Sequence, residues 1–184
     1  ENKLIEFNGN KQVPFKSQII STIPLTKLLL LIKDTPPSLI EESKKLRTNS
    51  IFVVNLGLKK PNLSNKNWIY YLEKEFSFFR ISFPYNEAKT VVPNKRTSIS
   101  AEISYGNNNP LPCSKQEMPS RVIKDLIKAE VISQNDEIEL IYSIDIKYGY
   151  VIYDNNRKPT VDKIHKYLNG VGIIPCGRYG DWAY

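Results

Sequence analysis

Thr97-Ser98-Ile99-Ser100-Ala101-Glu102-Ile103-Ser104-Tyr105 alternates apolar and polar side chains along its length. Successive side chains of a β-strand point to opposite faces, so this stretch predicts a strand with one covered and one polar face. Strand-like patterns also occupy four other segments: Ser50–Leu58, Asn67–Leu72, Phe78–Phe83 and Glu137–Tyr148. Between residues 50 and 105 the links hold turn residues and no crossover helix, which favours antiparallel neighbours. The centre of the chain therefore predicts one antiparallel sheet.

Segments with helical periodicity lie outside this block of strands. Apolar side chains recur at helical spacing in four places: Leu25–Ile32, Leu39–Leu46, Met118–Ile127 and Val161–Leu168. With 184 residues, of which 41% are apolar, the chain is sized for one core. Strands in a block with helices gathered outside it predict a single α+β unit, in which a mainly antiparallel β-sheet is covered on one face by helices.

The alternation also predicts which side chains the helices cover. Six residues are expected to be buried against helices: Phe79, Ile81, Phe83, Ile99, Ala101 and Ile103. Four others are expected to share the opposite face: Arg80, Ser82, Ser100 and Glu102. In the last long strand Ile144 and Ile146 alternate with Ser143, Asp145 and Lys147, which gives that strand a polar face as well. Because a one-residue slip reverses every side chain, the register is a strict prediction.

Short strands are predicted near both ends of the chain. Lys3–Phe7 and Lys11–Phe15 flank Asn8-Gly9-Asn10, and an Asn-Gly pair between short apolar segments is a strong hairpin signal. A third strand is predicted at Gln18–Thr22, and a final apolar strand at Ile173–Cys176.

Charge and cysteine content narrow the class of protein. The 26 basic and 19 acidic residues give a net charge of +7, but the basic residues are dispersed. Nucleic-acid binding usually needs a concentrated basic stripe, so it is not expected. The longest apolar run, Leu28–Ile32, is far shorter than the roughly 20 residues that span a bilayer, and no signal peptide is visible. Cys113 and Cys176 make neither a disulfide framework nor a metal site, which predicts reduced thiols in a cytoplasmic protein.

Two other features predict no chemistry. His165 is the sole histidine, and it is expected on a helix surface without a task, so no catalytic residue is assigned. Gly170-Val171-Gly172 follows a helix and precedes a strand, which is the reverse of the order in a dinucleotide-binding loop. This glycine pair is therefore predicted to end the helix.

Glycines and aromatic residues surround one arginine in Gly177-Arg178-Tyr179-Gly180-Asp181-Trp182-Ala183-Tyr184, directly after Ile173-Ile174-Pro175. The pattern resembles the segment by which flavoproteins of the amine-oxidase and protoporphyrinogen-oxidase type, and the UDP-galactopyranose mutases, re-enter their FAD domain. Ile19-Ile20-Ser21-Thr22-Ile23-Pro24-Leu25 is similar to the strand and proline by which they leave it. Asn55–Leu58, Trp68–Tyr70 and Phe79–Pro84 fit the same family in order and rough spacing.

The resemblance implies the substrate-binding portion of an FAD-dependent oxidoreductase, inactive by itself. The Gly-x-Gly-x-x-Gly opening of the family's Rossmann half is not in this sequence, so the chain resembles a truncated protein. Residues 1–21 and 172–184 would belong to the FAD domain, and about 22–170 would form the substrate domain. The missing FAD-binding half is then the expected partner, together with a small-molecule substrate. FAD is expected in the complete protein and not on this chain alone.

Two sets of candidate site residues follow. The resemblance places seven residues at the cofactor: Ser21, Thr22, Pro24, Gly177, Arg178, Gly180 and Trp182. It places four on the substrate side: Asn55, Tyr70, Arg80 and Ser82. An arginine fork there would suit a carboxylate or phosphate. Three clustered tyrosines, Tyr148, Tyr150 and Tyr153, have the character of a pocket wall, although tyrosines are also ordinary interior or edge residues.

Two alternatives remain open. Gly177-Arg178 also fits the mutases, where arginines would hold a nucleotide-sugar pyrophosphate, so the chain could be part of a flavin-dependent UDP-sugar mutase. It could instead be a free-standing basic α+β module that binds an anionic small molecule or a protein partner. The resemblance also implies that Gln18–Thr22 and Ile173–Gly177, which leave and re-enter the FAD domain, run as neighbouring strands along one edge. If the FAD domain is missing, the edge formed by Ile19, Ile23, Ile173 and Ile174 is expected to self-associate or to be poorly ordered.

Overall fold

The computed structural model of the protein describes residues 3–7 and 11–184, which fall into two compact units. The terminal unit comprises Glu1–Thr48 and Tyr150–Tyr184, and the sheet unit comprises Asn49–Gly149. The division of the chain into FAD and substrate domains, at residues 21 and 172, stays a prediction.

The described elements follow one another as β1 (Lys3–Phe7), β2 (Lys11–Phe15), β3 (Ile19–Ser21), α1 (Leu25–Leu31), α2 (Pro37–Ser43), β4 (Ser50–Leu58), β5 (Trp68–Tyr70), β6 (Arg80–Ser82), α3 (Pro84–Glu87), a 3₁₀ turn (Lys89–Val91), β7 (Thr97–Tyr105), α4 (Met118–Lys128), β8 (Ile138–Ile146), α5 (Arg157–Gly170), β9 (Ile173–Pro175) and α6 (Gly177–Gly180). The mixture of helices with a five-stranded antiparallel sheet confirms the predicted α+β class.

The sheet unit is built on five antiparallel strands in the order β5-β6-β7-β4-β8. One face carries the core, in which strand residues pack with the apolar side of α4; it includes Phe52, Val54, Leu56, Ile81, Ile99, Ala101, Ile103, Met118, Val122 and Leu126. Ser114 and Glu117 exchange hydrogen bonds directly before α4, with Glu117 N–H donating to Ser114 Oγ and Ser114 N–H to Glu117 Oε2. The Ser114–Glu117 pair thus closes the turn that leads directly into α4.

The register prediction is confirmed for five of the six core residues and wrong for Phe79. Ile81 and Phe83 are buried, but Phe79 is only half-buried, and Phe78 occupies the core in its place. The regular strand begins at Arg80, so strict alternation does not extend back to residue 78. Phe78 packs edge-on against Tyr71, with ring centroids 5.0 Å apart. Burying this aromatic contact decides the conformation of the segment before β6.

The faces of β8 differ from what its alternation suggested. Ser143 lies opposite Val54 and Asp145 opposite Phe52, so the polar side chains of β8 lie on the helix side of the sheet. Ile144 and Ile146 therefore lie on the face away from the helices, and both are exposed. The physical reason is that β8 is an outer strand, beyond the reach of the main core, where a period-2 pattern no longer reports which face is covered.

In the terminal unit the two predicted short strands meet. β3 and β9 are neighbouring strands, as the family resemblance implied, and they pair in parallel, with Ile19 opposite Ile173 and Ser21 opposite Pro175. The hairpin is confirmed for β1 and β2, while its Asn8–Asn10 turn lies outside the described residues. The predicted last helix is confirmed but begins earlier, at Arg157.

A single carboxylate, that of Glu42, joins α2 to α5 in the terminal unit. Glu42 accepts hydrogen bonds from Lys45, Lys163 and the Thr160 hydroxyl. The bonds from Lys45 and Lys163 lower the pKa of Glu42 from 4.5 to about 2. Because the pKa is lower in the folded state, the stabilisation is present above pH 4.5 and is lost as the pH falls toward 2.

Glu42→Gln is therefore expected to lower the melting temperature of the terminal unit at pH 7, and the difference from wild type should shrink between pH 4.5 and pH 2. Thermal unfolding across this pH range measures it. Glu41→Gln is the matched control, because Glu41 is exposed and pairs with the neighbouring Lys44. A Glu42→Gln difference that stays constant down to pH 2.5 would contradict the assignment.

Candidate functional site

The face of the sheet away from the helices, which we call the open face, gathers the four residues predicted on the substrate side. Cross-strand pairing forms two adjacent rows. One row contains Tyr70, Arg80, Glu102, Val53 and Ile144, and the next contains Trp68, Ser82, Ser100, Asn55 and Tyr142. Tyr70 and Arg80 thus lie beside Ser82 and Asn55 on one continuous surface.

Arg80 is held firmly on the open face. Its Nε and Nη2 donate to the carboxylate of Glu102 at 2.9, 2.7 and 2.8 Å, and its Nη1 donates to the Tyr70 hydroxyl at 3.2 Å. The guanidinium also lies over the Tyr70 ring, 5.7 Å from its centroid. This arrangement fixes the guanidinium and tyrosine in one orientation, and Glu102 occupies much of the fork that was predicted to bind an anionic substrate.

Sequence reasoning missed the two aromatic ends of the second row. Trp68 and Tyr142 lie at opposite ends, each about half exposed, with the serines and Asn55 between them. Exposed aromatic rings flanking hydroxyl and amide groups can bind a ligand that has both apolar and hydrogen-bonding parts. The signal was present in the sequence, because Trp68 has the same strand parity as Tyr70.

A second group of predicted residues meets in the terminal unit, where Tyr150, Tyr153 and Arg178 form a cluster with Tyr184 and Arg157. The Arg178 guanidinium lies 5.6 Å from the ring centroids of both Tyr150 and Tyr184. Tyr153 and Tyr184 stack at 5.4 Å, and Arg157 lies 4.4 Å from the Tyr153 ring. We call this the tyrosine–arginine cluster. It brings together predicted substrate and cofactor residues.

Arg157, Tyr184 and His165 were not predicted as site residues. Arg157 donates to the Trp182 and Asp181 carbonyls, and the Tyr184 backbone N–H donates to the Tyr153 hydroxyl. His165 Nε2 lies 2.8 Å from the Gly180 carbonyl oxygen, so the histidine holds α6 against α5 instead of standing idle on the helix surface. These contacts depend on chain folding, and nothing in the spacing of the residues indicated them.

The turn after β9 requires its glycines. Gly177 has φ of +75°, a conformation that side chains with a Cβ rarely adopt. A Cβ on Gly180 would lie 3.0 Å from the Pro175 carbonyl carbon and 3.3 Å from the Ser21 carbonyl oxygen. Ser21 itself is buried, and its carbonyl accepts the Cys176 N–H. Gly180 and Ser21, two of the predicted cofactor residues, thus pack backbone against backbone, while a Cβ on Gly177 would meet nothing within 4 Å.

The remaining predicted residues have separate settings. Pro24 precedes α1, where its carbonyl accepts the Lys27 and Leu28 N–H groups, and Thr22 is exposed. Tyr148 belongs to the sheet unit.

Trp182 is 1% exposed, and its indole Nε1 makes no hydrogen bond with any described residue. Burying an N–H without a partner is costly, so this donor is a feature that the packing alone does not explain.

Two carboxylates of β8, Asp145 and Glu139, form ion pairs with basic side chains. Lys115 and then Tyr105 hydrogen-bond Asp145 and lower its pKa below the usual value. Arg96 does the same for the pKa of Glu139.

Over residues 3–7 and 11–184, no group of three or more histidine, cysteine, aspartate or glutamate residues is placed to hold a metal ion. In the same part of the chain, no helix has the length and apolar character needed to cross a bilayer.

An open cavity of about 560 Å³ lies in the sheet unit, lined by side chains that include Tyr71, Phe78, Asn109 and Arg121. Its described lining contains none of the predicted site residues. The surfaces that collect those residues are the open face and the tyrosine–arginine cluster.

Several solved structures contain a segment with the same fold as this chain. A reduced UDP-galactopyranose mutase superposes with a TM-score of 0.89 at 24% identity, covering 100% of this chain and 40% of that one. A protoporphyrinogen oxidase homologue from Exiguobacterium sp. 255-15 gives a TM-score of 0.67 at 15% identity, covering 92% of this chain and 39% of its own. A putrescine oxidase triple mutant gives 0.61 at 14% identity, covering 96% and 41%. No protein-family model and no curated protein sequence matches the chain.

The chain therefore has the fold of a segment of the amine-oxidase-like flavoproteins, as the sequence resemblance implied. It spans about 40% of the length of these solved structures. At these identities the likeness defines the fold, and the activity needs its own argument.

Proposed function

We propose that the chain is the substrate-binding portion of an FAD-dependent oxidoreductase of the amine-oxidase and protoporphyrinogen-oxidase type, and part of a longer polypeptide. The observation that carries the proposal is the parallel pair β3–β9. Parallel strands occur almost exclusively in sheets covered on both faces. Here the side chain of Ile20 in β3 is 71% exposed. One face of this parallel pair is therefore uncovered, and further chain is needed to cover it.

The arrangement after β9 fits the flavin that such a polypeptide would bind. Gly180 packs on the Ser21 backbone, Gly177 leaves open space where a Cβ would lie, and Arg178 between them supplies a positive charge held over the Tyr150 and Tyr184 rings. The unpartnered Trp182 indole N–H is a buried polar atom in the same segment. Thr22 and Pro24 follow Ser21 directly. These residues would hold the cofactor, and FAD when bound would supply the redox chemistry.

The substrate would lie against the open face. There the Arg80–Glu102–Tyr70 group presents a fixed polar surface, and Trp68 and Tyr142 offer aromatic surface on either side of Asn55 and the serines. No residue of this chain needs to act as an acid or base, since the protein's part in such enzymes is to bind and orient the substrate. By itself the chain is expected to be inactive and colourless.

A flavin-dependent UDP-sugar mutase is the second candidate. The tyrosine–arginine cluster favours it, because Arg178 and Arg157 provide positive charge beside stacked phenol rings, which suits a phosphate group next to an aromatic base. The free-standing module that binds an anionic small molecule is supported by the same cluster, but it leaves the exposed face of β3 without a purpose.

The test is flavin binding by the natural polypeptide that contains this sequence. Arg178→Ala is expected to weaken FAD binding about tenfold, the loss typical of one charge-assisted hydrogen bond. Arg96→Ala, which removes an equally charged side chain from the sheet unit, is the matched control and should leave affinity unchanged. Equal affinity of wild type and Arg178→Ala would remove Arg178 from the cofactor site.

A further inference from the structure

The open face carries two neighbouring rows of side chains that differ in charge. Arg80 and Glu102, in the first row, are the only charged side chains among the strand residues that the structure places on this face. The second row is uncharged and consists of Trp68, Ser82, Ser100, Asn55 and Tyr142. A ligand on the open face would therefore meet one charged pair and one uncharged row.

The charge of Arg80 is already matched within the first row. Arg80 donates three hydrogen bonds to the Glu102 carboxylate and a fourth to the Tyr70 hydroxyl. The side chains of Arg80 and Glu102 are only 26% and 15% exposed. These bonds fill the fork that a carboxylate or phosphate would need. An anion placed there would also lie beside the Glu102 carboxylate, and like charges side by side disfavour binding.

The polar groups of the second row have no hydrogen-bond partner among the described residues. This is true of the Trp68 indole N–H, the hydroxyls of Ser82, Ser100 and Tyr142, and the Asn55 amide. Trp68 and Tyr142 are 52% and 59% exposed, and the three residues between them are half-buried. Donors and acceptors that solvent reaches and that the fold does not use are the groups able to orient a ligand.

We infer that the substrate contacts the open face through uncharged groups, and that Glu102 sets this selectivity by holding Arg80. The inference rests on the proposed function, which places the substrate on this face. The chemical class is a neutral molecule with a flat apolar part that packs on an aromatic ring, and with hydroxyl or amide groups that bond to the serines and Asn55. This replaces the carboxylate or phosphate that the sequence led us to expect at Arg80.

The Trp68 end of the second row is where this selectivity operates. Neighbouring strands are about 4.8 Å apart, so Trp68 and Tyr142, four strands apart, are separated by roughly 19 Å across the sheet. A small ligand therefore contacts one end only. Ser82 lies opposite Trp68 in β5–β6 pairing, and Arg80 is on the same face of β6 one pleat away. A charged group on a ligand at Trp68 would thus lie close to the Arg80–Glu102 pair.

Titration of the protein with benzamide and with benzoate at pH 7 tests the inference. The two probes have nearly the same shape and differ in charge. NMR of the Trp68 indole N–H, assigned with Trp68→Phe, reports binding at this end of the row. We expect benzamide to bind about tenfold more tightly than benzoate. In Glu102→Gln we expect benzoate affinity to rise about tenfold, the gain typical of one charge-assisted hydrogen bond, because Arg80 then has its fork open to a carboxylate.

Glu139→Gln is the matched control. Glu139 accepts two hydrogen bonds from Arg96 at 2.6 and 3.0 Å, so this variant opens another paired arginine of the same sheet. It should leave both affinities at Trp68 unchanged. Adding Arg80→Gln to Glu102→Gln should remove the gain in benzoate binding, and the amide spectrum of each variant shows whether the sheet is intact.

Four results would overturn the inference: tighter binding of benzoate than of benzamide by the unmodified chain, binding of neither probe, no gain of benzoate affinity in Glu102→Gln with the sheet intact, or an equal gain in Glu139→Gln. No flavin enters the titration. A negative result therefore leaves the proposed flavoprotein function standing, and a failed flavin test leaves the measured selectivity standing.

Discussion

Phe83→Ala is expected to destabilise the sheet unit by about 3 to 5 kcal/mol, the usual cost of removing a buried phenyl ring from a packed core. Phe83 is fully buried, and its ring lies edge-on to Tyr85 with centroids 6.5 Å apart. The cavity left by the ring adds to the cost of the lost apolar burial, because the strands on either side cannot collapse into it. Urea unfolding followed by tryptophan fluorescence, with Trp68 in the same unit, measures the change.

Two neighbouring phenylalanines make this a test of the sheet register. Phe78→Ala should cost nearly as much as Phe83→Ala, because Phe78 is buried against Tyr71 and Phe76. Phe79→Ala should cost only about 1 kcal/mol, since that ring is half-buried beside Arg80. The opposite order for Phe78 and Phe79 would restore the simple alternation predicted from the sequence and contradict the packing described here.

Trp182→Ala is expected to destabilise the terminal unit by about 3 to 5 kcal/mol, because Trp182 is the largest fully buried side chain among the described residues. Trp182→Phe should cost less than half as much. It retains most of the apolar packing and removes the indole N–H that has no partner among the described residues, so part of the lost packing is offset.

Thermal unfolding of the two variants side by side measures the effect. If Trp182→Phe proved as harmful as Trp182→Ala, the indole N–H would have to make a stabilising bond that the structure does not contain. In the natural polypeptide, a flavin bound near this segment could accept the hydrogen bond from the indole N–H. Loss of flavin affinity in Trp182→Phe, with stability retained, would assign the N–H to the cofactor.

The parts of the fold that the sequence predicted well are those governed by local periodicity. β7 alternates strictly because it is an inner strand, between β6 and β4, with one face packed in the core beside α4, and its helix-side residues Ile99, Ala101 and Ile103 are buried as expected. That β3 and β9 are neighbours was implied by the family resemblance instead, and their parallel direction was not predicted. Strands more than 150 residues apart leave no local signal of their pairing.

Features that depend on tertiary contact were beyond reach. Nothing in the sequence distinguished Phe78 from Phe79, because the choice depends on the ring of Tyr71. The inverted faces of β8 follow from its place at the sheet edge, which periodicity does not reveal. The candidate site shows the same division. Strand parity placed Tyr70, Arg80, Ser82 and Asn55 on one face, while the role of Arg157 and Tyr184 in the tyrosine–arginine cluster arises from residues that folding brings together.

The absorbance spectrum of the natural polypeptide that contains this sequence, compared with that of the chain alone, tests the central claim most directly. The proposed function predicts stoichiometric FAD, with flavin absorption in the visible range, for the longer polypeptide. It predicts a colourless preparation for residues 1–184, because a separate strand, glycine loop and helix supply most dinucleotide contacts in such folds. A natural polypeptide that binds no flavin, or a yellow chain with FAD held stoichiometrically by these residues alone, would contradict the account.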